Sequence, residues 1–462
     1  MTARCRQTCI YHAPPLFSTV RVNLLRRSLL EAQLRLQEIF MEEYAASRPD
    51  LVCPTVELHP VLPDVLIARG SGPYLDVQPV DKEVYVDVNC GSSVMRGSHI
   101  YCPGVLGSNA HFNAGDKVSV YADLQGKVRR GWKQMYESAD KLFLGIGQML
   151  RGRSELFVES ERLDAALHGP AVQMCQPIWN QPSLSTPVIE DWGYCQNLPS
   201  IVSGHVLDPQ PGEVILDMCA APGGKCTHIA TLMGDSGRVL CLDRGPGRSA
   251  KIMQIAKSLG LKSIEVLPFY DATRACDENI HTPLSELSFP PFPPHCFDRI
   301  IVDAPCSGLG QRPLFCGRKA PRPKELRSCE PLQRKLLATA VKLLKLHGTL
   351  VYCTCTLRRE ENEDQVAWLL NKFPFMKLVE QDYDLGNASF LLEKGGPVQK
   401  YDPGLLCALH KESTECYQQV FDVKSYDVDC LFSDNYCKGT SDYSLEMNTD
   451  TIGFFIAKFR KS

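Results

Sequence analysis

The chain has 462 residues and a net charge of −3, with 44% hydrophobic and 22% charged residues. This composition is typical of a globular protein with two or three domains, and no apolar run approaches the length of a membrane span. The 21 cysteines include no Cys-x-x-Cys pair and no secretory signal precedes them, so we expect no metal site, free thiols and a reducing, cytoplasmic location.

Residues 1–76 are predicted to form an N-terminal α/β subdomain. Phe17 to Asn23 is strand-like and Ser28 to Tyr44 is helix-like, and short apolar pieces separated by prolines follow. Residues 77–165 change to a period of two, in which Val84, Val86 and Val88 alternate with polar or aromatic residues. Frequent glycines accompany this alternation, so the sequence predicts a compact β-rich domain with tight turns.

Residues 166–462 alternate between strand-like and helix-like segments after a proline-spaced connector. Such alternation predicts a doubly wound, mostly parallel sheet of the Rossmann type. The predicted strands are Val214–Asp217, Val239–Asp243, Ile264–Leu267, Ile300–Val302, Thr349–Thr356 and Gly453–Phe459. The predicted helices are Lys225–Met233, Ala250–Leu259, Leu332–Leu346 and Asn362–Phe373. The stretch 375–450 has no assigned structure and becomes acidic from Asp422 to Asp450.

Four predicted strands are followed closely by an aspartate, namely Asp217, Asp243, Asp271 and Asp303. Ligands of open α/β sheets bind at the carboxyl ends of the strands, where a carboxylate can accept hydrogen bonds from ribose hydroxyls or an adenine amino group. Helix capping would explain one or two of these aspartates. The loop 221–224 contains no G-x-G-x-x-G, so S-adenosylmethionine is a better candidate than a dinucleotide.

Cys306 follows a proline and Cys355 follows a threonine, and this pairing suits methylation of a pyrimidine carbon. A thiolate that adds to C6 of cytosine makes C5 nucleophilic toward a methyl donor, and a second polar group then helps release the product. The residues alone leave open which cysteine attacks. Most cysteines of such a chain are expected to be small buried hydrophobic residues.

Three strings carry a family resemblance: LDMCAAPGGK (216–225), DAPCSGLG (303–310) and YCTCTLRREENEDQV (352–366). They resemble the Sun-domain RNA (cytosine-5)-methyltransferases, and FSTVRVN, QNLPS (196–200) and GFFIAKF fit as well. The β-rich segment resembles the PUA module that one branch carries between its N-terminal subdomain and its methyltransferase core. The resemblance covers about residues 17–370 and 451–460. It implies a monomeric enzyme that uses S-adenosyl-L-methionine to methylate tRNA near the acceptor end and also some messenger RNAs.

The resemblance also implies roles for individual residues. Cys355 would be the nucleophile and Cys306 would act in product release, with Asp303 and Lys225 near the target base. The implied cofactor-binding residues are Cys219, Ala220, Ala221, Pro222, Gly223, Gly224, Lys225, Asp243, Arg248, Asp271 and Asp303. The implied RNA-binding residues are Arg96, Tyr101, Lys127, Arg129 and Arg130.

Two other functions remain open at this point. The chain could be an RNA-binding protein with a methyltransferase-like scaffold, or a DNA cytosine methyltransferase, which would use the Pro-Cys cysteine as nucleophile. Both cysteines, Asp303 and Lys225 are retained, which argues against the scaffold, and the PUA-like segment argues against DNA. One departure from the family is Cys353, which stands where serine is common and is expected to point the same way as Cys355.

Overall fold

The computed structural model describes residues 13–15, 17–138, 141–157, 169–184, 189–315, 322–383, 399–401 and 452–462. The strands are β1 (Phe17–Val22), β2 (Val56–Leu58), β3 (Val65–Arg69), β4 (Glu83–Asp87), β5 (Ile100–Tyr101), β6 (Val105–Ser108), β7 (Lys117–Asp123), β8 (Lys141–Met149), β9 (Pro170–Pro177), β10 (Gly193–Cys195), β11 (Val214–Asp217), β12 (Arg238–Asp243), β13 (Ile264–Pro268), β14 (Phe297–Asp303), β15 (Leu344–Thr354), β16 (Met376–Leu378), β17 (Gln399–Tyr401) and β18 (Phe454–Lys461). The α-helices are α1 (Leu29–Ser47), α2 (Val88–Met95), α3 (Arg153–Leu156), α4 (Leu198–Leu207), α5 (Gly224–Leu232), α6 (Pro246–Ser258), α7 (Pro323–Leu343) and α8 (Glu363–Lys372). Within these ranges no helix combines the length and the hydropathy that crossing a bilayer requires.

The N-terminal unit is an antiparallel sheet of order β10-β1-β3-β2 covered by α1. Ser28 caps the N-terminus of helix α1: its hydroxyl accepts from the Glu31 amide while the Glu31 carboxylate accepts from the Ser28 amide. Leu36 and Phe40 are spaced by one helical turn and are fully buried against the sheet. The predicted strand and helix of this unit are confirmed, and β10 joins them from the segment expected to be a connector.

The second unit is a six-stranded sheet of order β5-β9-β8-β7-β4-β6. Strand β9 lies beyond the boundary expected at residue 165, because its buried Ala171, Val172 and Met174 complete the core of this sheet. Two of the four prolines that suggested a connector, Pro170 and Pro177, stand at the two ends of β9, where they disrupt strand pairing least. Only Cys102–Gly104 separate the two outermost strands β5 and β6 in the chain, so the sheet curls around its core.

The third unit is a sheet of order β13-β12-β11-β14-β15-β18-β16, with β17 beside β18. Strands β11 to β15 are parallel, and β18 runs antiparallel to β15 and β16. One apolar cluster lies on each face of this sheet, and helices α4 to α8 cover the two faces. The predicted doubly wound α/β sheet is confirmed. The strand order reverses between β11 and β14, where ligands of such sheets bind.

Two expectations for this unit need correction or fall outside the described residues. The helix expected at Leu332–Leu346 begins at Pro323 and ends at Leu343, because Leu344 enters β15 and pairs with Phe297. Within the stretch 375–450, β16 and β17 are strands. Residues 384–398 and 402–451, with the acidic run from Asp422 to Asp450, lie outside the described residues.

Buried polar contacts fix the N-terminal unit to the third unit. The Asp64 carboxylate bonds to Nε2 of His205 on α4 at 2.8 Å and to Nε2 of His228 on α5 at 2.9 Å. The Arg21 guanidinium of β1 donates to the Thr227 hydroxyl of α5 at 2.9 Å. Helix α5 is thus held from one side by the N-terminal unit, directly behind the loop that opens it.

Candidate functional site

A cleft of about 510 Å³ lies at the carboxyl ends of β11 and β14, where the strand order reverses. All three units contribute to its walls: Thr19 comes from β1, Arg96 from the six-stranded unit, and Asp217, Lys225 and Asp303 from the third unit. The cleft therefore exists only in the assembled chain, although most of its polar groups belong to the parallel sheet.

The loop from β11 to α5 forms one wall of the cleft, to which Cys219, Ala220, Ala221, Pro222 and Gly224 contribute. At Gly223 the backbone φ is +121°, a conformation that residues with a side chain rarely adopt. At Gly224 a Cβ atom would come within 3.0 Å of the Tyr194 ring. The two glycines therefore allow the backbone to pass close to the cleft.

Asp243 and Arg248 are attached to this loop. One Asp243 oxygen accepts from the Ala221 amide at 3.3 Å and the other accepts from the Gly245 amide at 2.9 Å. The Arg248 guanidinium lies 3.3 Å from the Asp243 carboxylate and donates to the Ala221 carbonyl at 3.0 Å. These two predicted cofactor-binding residues are thus placed directly behind the glycine loop.

Asp271 follows β13 and caps a short 3₁₀ turn, because its carboxylate accepts from the amide and the hydroxyl of Thr273. Its other oxygen lies 3.7 Å from the Arg244 guanidinium. The capping explanation therefore holds for Asp271. The carboxylate nevertheless lies at the same edge of the sheet as Asp243, since β12 and β13 are adjacent and parallel.

Asp217 lines the cleft and is fully buried. One carboxylate oxygen accepts from the Cys219 amide at 3.2 Å, and the other has no hydrogen-bond partner among the described residues. Burial, together with the nearby charge of Asp303, raises the pKa of Asp217 to about 7. In the sequence Asp217 is recognisable as a strand-end aspartate, but no role in the site was predicted for it.

Lys225 and Asp303 form an ion pair at the floor of the cleft. Lys225 Nζ donates to Asp303 Oδ2 at 2.8 Å and to Ser200 Oγ at 2.9 Å. Burial by itself lowers the pKa of Lys225, but the neighbouring groups, among which Asp303 contributes most through its charge and its hydrogen bond, together hold the pKa above its ordinary value. The ammonium group therefore remains protonated next to a carboxylate that is about one third exposed.

The sulfur atoms of Cys306 and Cys355 lie 3.4 Å apart. A hydrogen bond from the Cys306 thiol lowers the pKa of Cys355, against burial, and a hydrogen bond with Gln311 and the charge of Lys225 act in the same direction. The same hydrogen bond, together with burial, raises the pKa of Cys306 well above its ordinary value. Cys355 is thus the thiol of this pair that ionises at the lower pH.

Residues of the motif at 352–366 hold the two cysteine loops together. The hydroxyls of Ser307 and Thr356 are 2.7 Å apart, so each loop contacts the other one residue beyond its cysteine. The fully buried Glu361 accepts from the Ser307 amide at 2.9 Å and from the Gln333 side chain at 3.1 Å. These bonds fix the separation of the two sulfur atoms.

Cys353 is fully buried and donates to Asp303 Oδ1 at 3.5 Å. Burial, with the charge of Asp303, raises the pKa of this thiol well above its ordinary value. Cys353 and Cys355 pack against the same apolar cluster, which confirms that they point the same way. Their ionisation differs because Cys353 faces a carboxylate whereas Cys355 faces a thiol.

The five predicted RNA-binding residues differ in their contacts. All five residues are exposed on the six-stranded unit, and Arg96 in addition lines the cleft and donates to the Arg312 carbonyl at 3.3 Å. The Arg130 guanidinium donates to three backbone carbonyls, of which that of Leu156 is at 2.8 Å. Arg130 therefore has a structural role that the sequence did not indicate.

Several side chains that line the cleft were not predicted from the sequence. They are Tyr194, Gln196, Ser200, Gln311 and Arg312. The string 196–200 carried part of the family resemblance, but its polar residues suggested no role by themselves. Their importance follows from contacts with residues far away in the chain, such as the bond from Lys225 to Ser200.

The cleft suits a nucleoside bearing a cationic amino acid. A buried, unpartnered Asp217 oxygen matches a cationic ligand group, and the glycine loop leaves room where a side chain would intrude. The Asp243 carboxylate at the end of β12 accepts from two backbone amides and pairs with Arg248 directly behind this loop. The residues present therefore fit S-adenosyl-L-methionine.

Comparison with known proteins agrees with this geometry. Residues 204–397 match the family model described as 16S rRNA methyltransferase RsmB/F. The chain is 41% identical to the tRNA (cytosine(72)-C(5))-methyltransferase NSUN6 of Mus musculus, over 97% of this chain and 88% of the relative. It is 32% identical to the tRNA (cytosine(72)-C(5))-methyltransferase of Pyrococcus horikoshii, over 77% of this chain and 79% of the relative.

A solved structure extends the comparison to three dimensions. The crystal structure of NSun6 from Pyrococcus horikoshii with SFG is 27% identical, with a TM-score of 0.69, and the match covers 99% of this chain and 93% of that one. Fold, site and relatives thus agree over nearly the whole chain. The chain belongs to the RsmB/F family of Sun-domain RNA (cytosine-5)-methyltransferases.

Proposed function

We propose that this chain forms 5-methylcytosine near the acceptor end of tRNA, with S-adenosyl-L-methionine as cofactor. The observation that carries the proposal is the Cys306–Cys355 pair, which lies beside the Lys225–Asp303 ion pair at the edge of a methyltransferase sheet. The names of the mouse and Pyrococcus relatives support tRNA as the substrate and cytosine 72 as the target.

The first step is the addition of the Cys355 thiolate to C6 of the target cytosine. The target base must leave any stack to enter the cleft, which costs least at a frayed end of the RNA. Asp303 accepts a hydrogen bond from the N4 amino group, which favours cytosine over uracil because uracil presents an acceptor there. The addition makes C5 nucleophilic, and the bound cofactor supplies the electrophilic methyl group.

Release of the product breaks the C5–H bond, whose electron pair re-forms the C5–C6 double bond and expels the Cys355 thiolate from C6, while the proton passes to water. Cys306 keeps its proton because its pKa is raised, so it can donate a hydrogen bond to the departing sulfur. This bond stabilises the thiolate that leaves. The raised pKa of Cys306 and the lowered pKa of Cys355 thus support the division of roles that the family resemblance implies.

The six-stranded unit is proposed to be a PUA-like RNA-binding domain. Its curled sheet presents the exposed Tyr101, Lys127 and Arg129, and its Arg96 reaches the cleft. Basic side chains can pair with phosphates and Tyr101 can stack on a base. Methylation of some messenger RNAs and a monomeric state complete the proposal and rest on the family resemblance, and a cytoplasmic location completes it on the ground of the expected free thiols.

Methyl transfer to defined transcripts tests the proposal. The purified chain is incubated with methyl-labelled S-adenosyl-L-methionine and a tRNA transcript that carries cytosine at position 72, and the product is identified by nuclease digestion and mass spectrometry. A matched transcript with uridine at that position is the control. We expect 5-methylcytosine in the first transcript and no methyl group in the second.

Other outcomes would point to the rival functions. Tight binding of tRNA without transfer to any RNA would contradict the proposal and favour an RNA-binding protein with a scaffold core. Transfer to duplex DNA but not to tRNA would favour a DNA cytosine methyltransferase.

A further inference from the structure

The hydroxyl of Ser200, on the third residue of α4, lies in the wall of the cleft next to the ion pair. Its oxygen accepts from Lys225 Nζ at 2.9 Å and from Gln196 Nε2 at 3.0 Å. A serine oxygen has two acceptor positions and one hydrogen to donate. Both acceptor positions are thus filled, while the hydrogen has no acceptor among the described residues.

The orientation of Gln196 is fixed by a buried arginine. Arg21 Nε donates to Gln196 Oε1 at 3.0 Å, so the oxygen end of the amide must face Arg21 and the NH₂ end must face Ser200. Arg21 is itself fully buried and bonded to Thr227 on α5. A rigid chain of hydrogen bonds therefore prevents Ser200 from turning its hydrogen toward Gln196 or Lys225.

Asp303, Lys225 and Ser200 present an acceptor, a donor and a donor in a row, separated by hydrogen bonds of 2.8 and 2.9 Å. Lys225 has three N–H groups, of which two are used in this row. The pairing edge of cytosine carries the complementary series: the N4 amino donor, the N3 acceptor and the O2 acceptor. The three side chains thus match that edge in order as well as in number.

We propose that the Ser200 hydroxyl donates a hydrogen bond to O2 of the target cytosine, while Lys225 donates to N3 and Asp303 accepts from the N4 amino group. This inference rests on the proposed function and adds a substrate-binding residue to it. Attack of a thiolate at C6 moves negative charge through the ring onto N3 and O2. A donor held at O2 therefore stabilises the transition state more than the free base, and its loss lowers the rate of the chemical step.

The test combines a side-chain change with an atomic change in the substrate. Single-turnover methylation rates are measured for wild type and Ser200→Ala on two tRNA transcripts, one with cytidine and one with 2-thiocytidine at the target. Sulfur is a poor hydrogen-bond acceptor. With cytidine we expect Ser200→Ala to be slower by roughly tenfold, which is typical of losing one hydrogen bond in a polar site. Wild type should lose a similar factor on 2-thiocytidine.

The decisive comparison is Ser200→Ala on 2-thiocytidine. If Ser200 contacts O2, the second change causes little further loss, because the bond is already absent. If the rate losses from Ser200→Ala and from 2-thiocytidine multiply to roughly a hundredfold, the proposal is overturned. It is also overturned if Ser200→Ala methylates the cytidine transcript as fast as wild type does. Ser200→Thr keeps the hydroxyl and should restore most of the rate.

Two controls separate this proposal from structural damage and from the proposed function. Ser203→Ala, on the same helix, removes a buried hydroxyl that bonds to the Ser200 carbonyl, and it should leave the sensitivity to 2-thiocytidine unchanged. If Ser200→Ala does not fold, Ser200→Cys replaces it, since a thiol is a weak donor. Absence of methylation by wild type on the cytidine transcript would contradict the proposed function, whereas normal methylation with independent losses would contradict only the role of Ser200.

Discussion

Cys306 and Cys355 are 49 residues apart in the chain, yet their sulfur atoms lie 3.4 Å from each other. The cysteines follow β14 and β15, which are adjacent and parallel, so their loops leave the sheet at the same edge. The contact has opposite effects on the two thiols, since it lowers the pKa of Cys355 and raises the pKa of Cys306. This inequality distinguishes the two thiols before any RNA is bound.

The inequality predicts different behaviour of two variants with RNA. Wild type, Cys355→Ala and Cys306→Ala are each incubated with labelled tRNA transcript and S-adenosyl-L-methionine, and a denaturing gel is run. Cys306→Ala should accumulate a covalent protein–RNA band, because the leaving thiolate has lost its hydrogen-bond donor. Cys355→Ala should show neither the band nor methyl transfer. A band in Cys355→Ala would show that the nucleophile is a different residue.

The thiols can also be compared without RNA. Because its pKa is lowered, Cys355 should be alkylated by iodoacetamide at a lower pH than Cys306 or Cys353, as followed by peptide mass spectrometry. Cys306→Ala removes the hydrogen bond that contributes most to this shift, so the pH profile of Cys355 should move to higher pH. An unchanged profile in Cys306→Ala would mean that other groups set the pKa of Cys355.

The two neighbouring arginines of the six-stranded unit should behave differently. Arg129→Ala should weaken RNA binding and reduce the salt dependence of affinity by about one unit of slope, as expected for one phosphate contact. Arg130→Ala removes a side-chain donor from three carbonyls, of which that of Cys102 keeps a bond from the Val105 amide, and should destabilise the fold by on the order of 2 kcal/mol, measured by urea unfolding. Equal loss of RNA affinity without loss of stability in both variants would contradict this distinction.

Stability should decrease as the pH falls below 6.5. Burial lowers the pKa of His228 from 6.5 to about 3. Below pH 6.5 the unfolded chain therefore binds a proton that the folded chain does not bind. The free energy of unfolding therefore falls with pH from 6.5 to about 3. His59 adds to this slope, since burial lowers its pKa to about 4.

The matched variant for this prediction is His228→Asn, which does not titrate and can still donate to Asp64. Urea unfolding of both proteins across this pH range should show a shallower slope for the variant. An equally steep slope in the variant would exclude His228 as a source of the pH dependence.

The sequence by itself determined the parallel sheet, because hydrophobic periodicity and strand-end aspartates are local signals. It also determined the family and the two cysteines, since their motifs are contiguous strings. It did not reveal the position of β9 in the six-stranded sheet, because prolines at strand ends and at connectors look alike in a sequence. Only the tertiary structure decided that Arg130 holds backbone carbonyls and that Ser200 stands beside Lys225. Such roles depend on contacts between residues that are far apart in the chain, and no local pattern of residue types predicts those contacts.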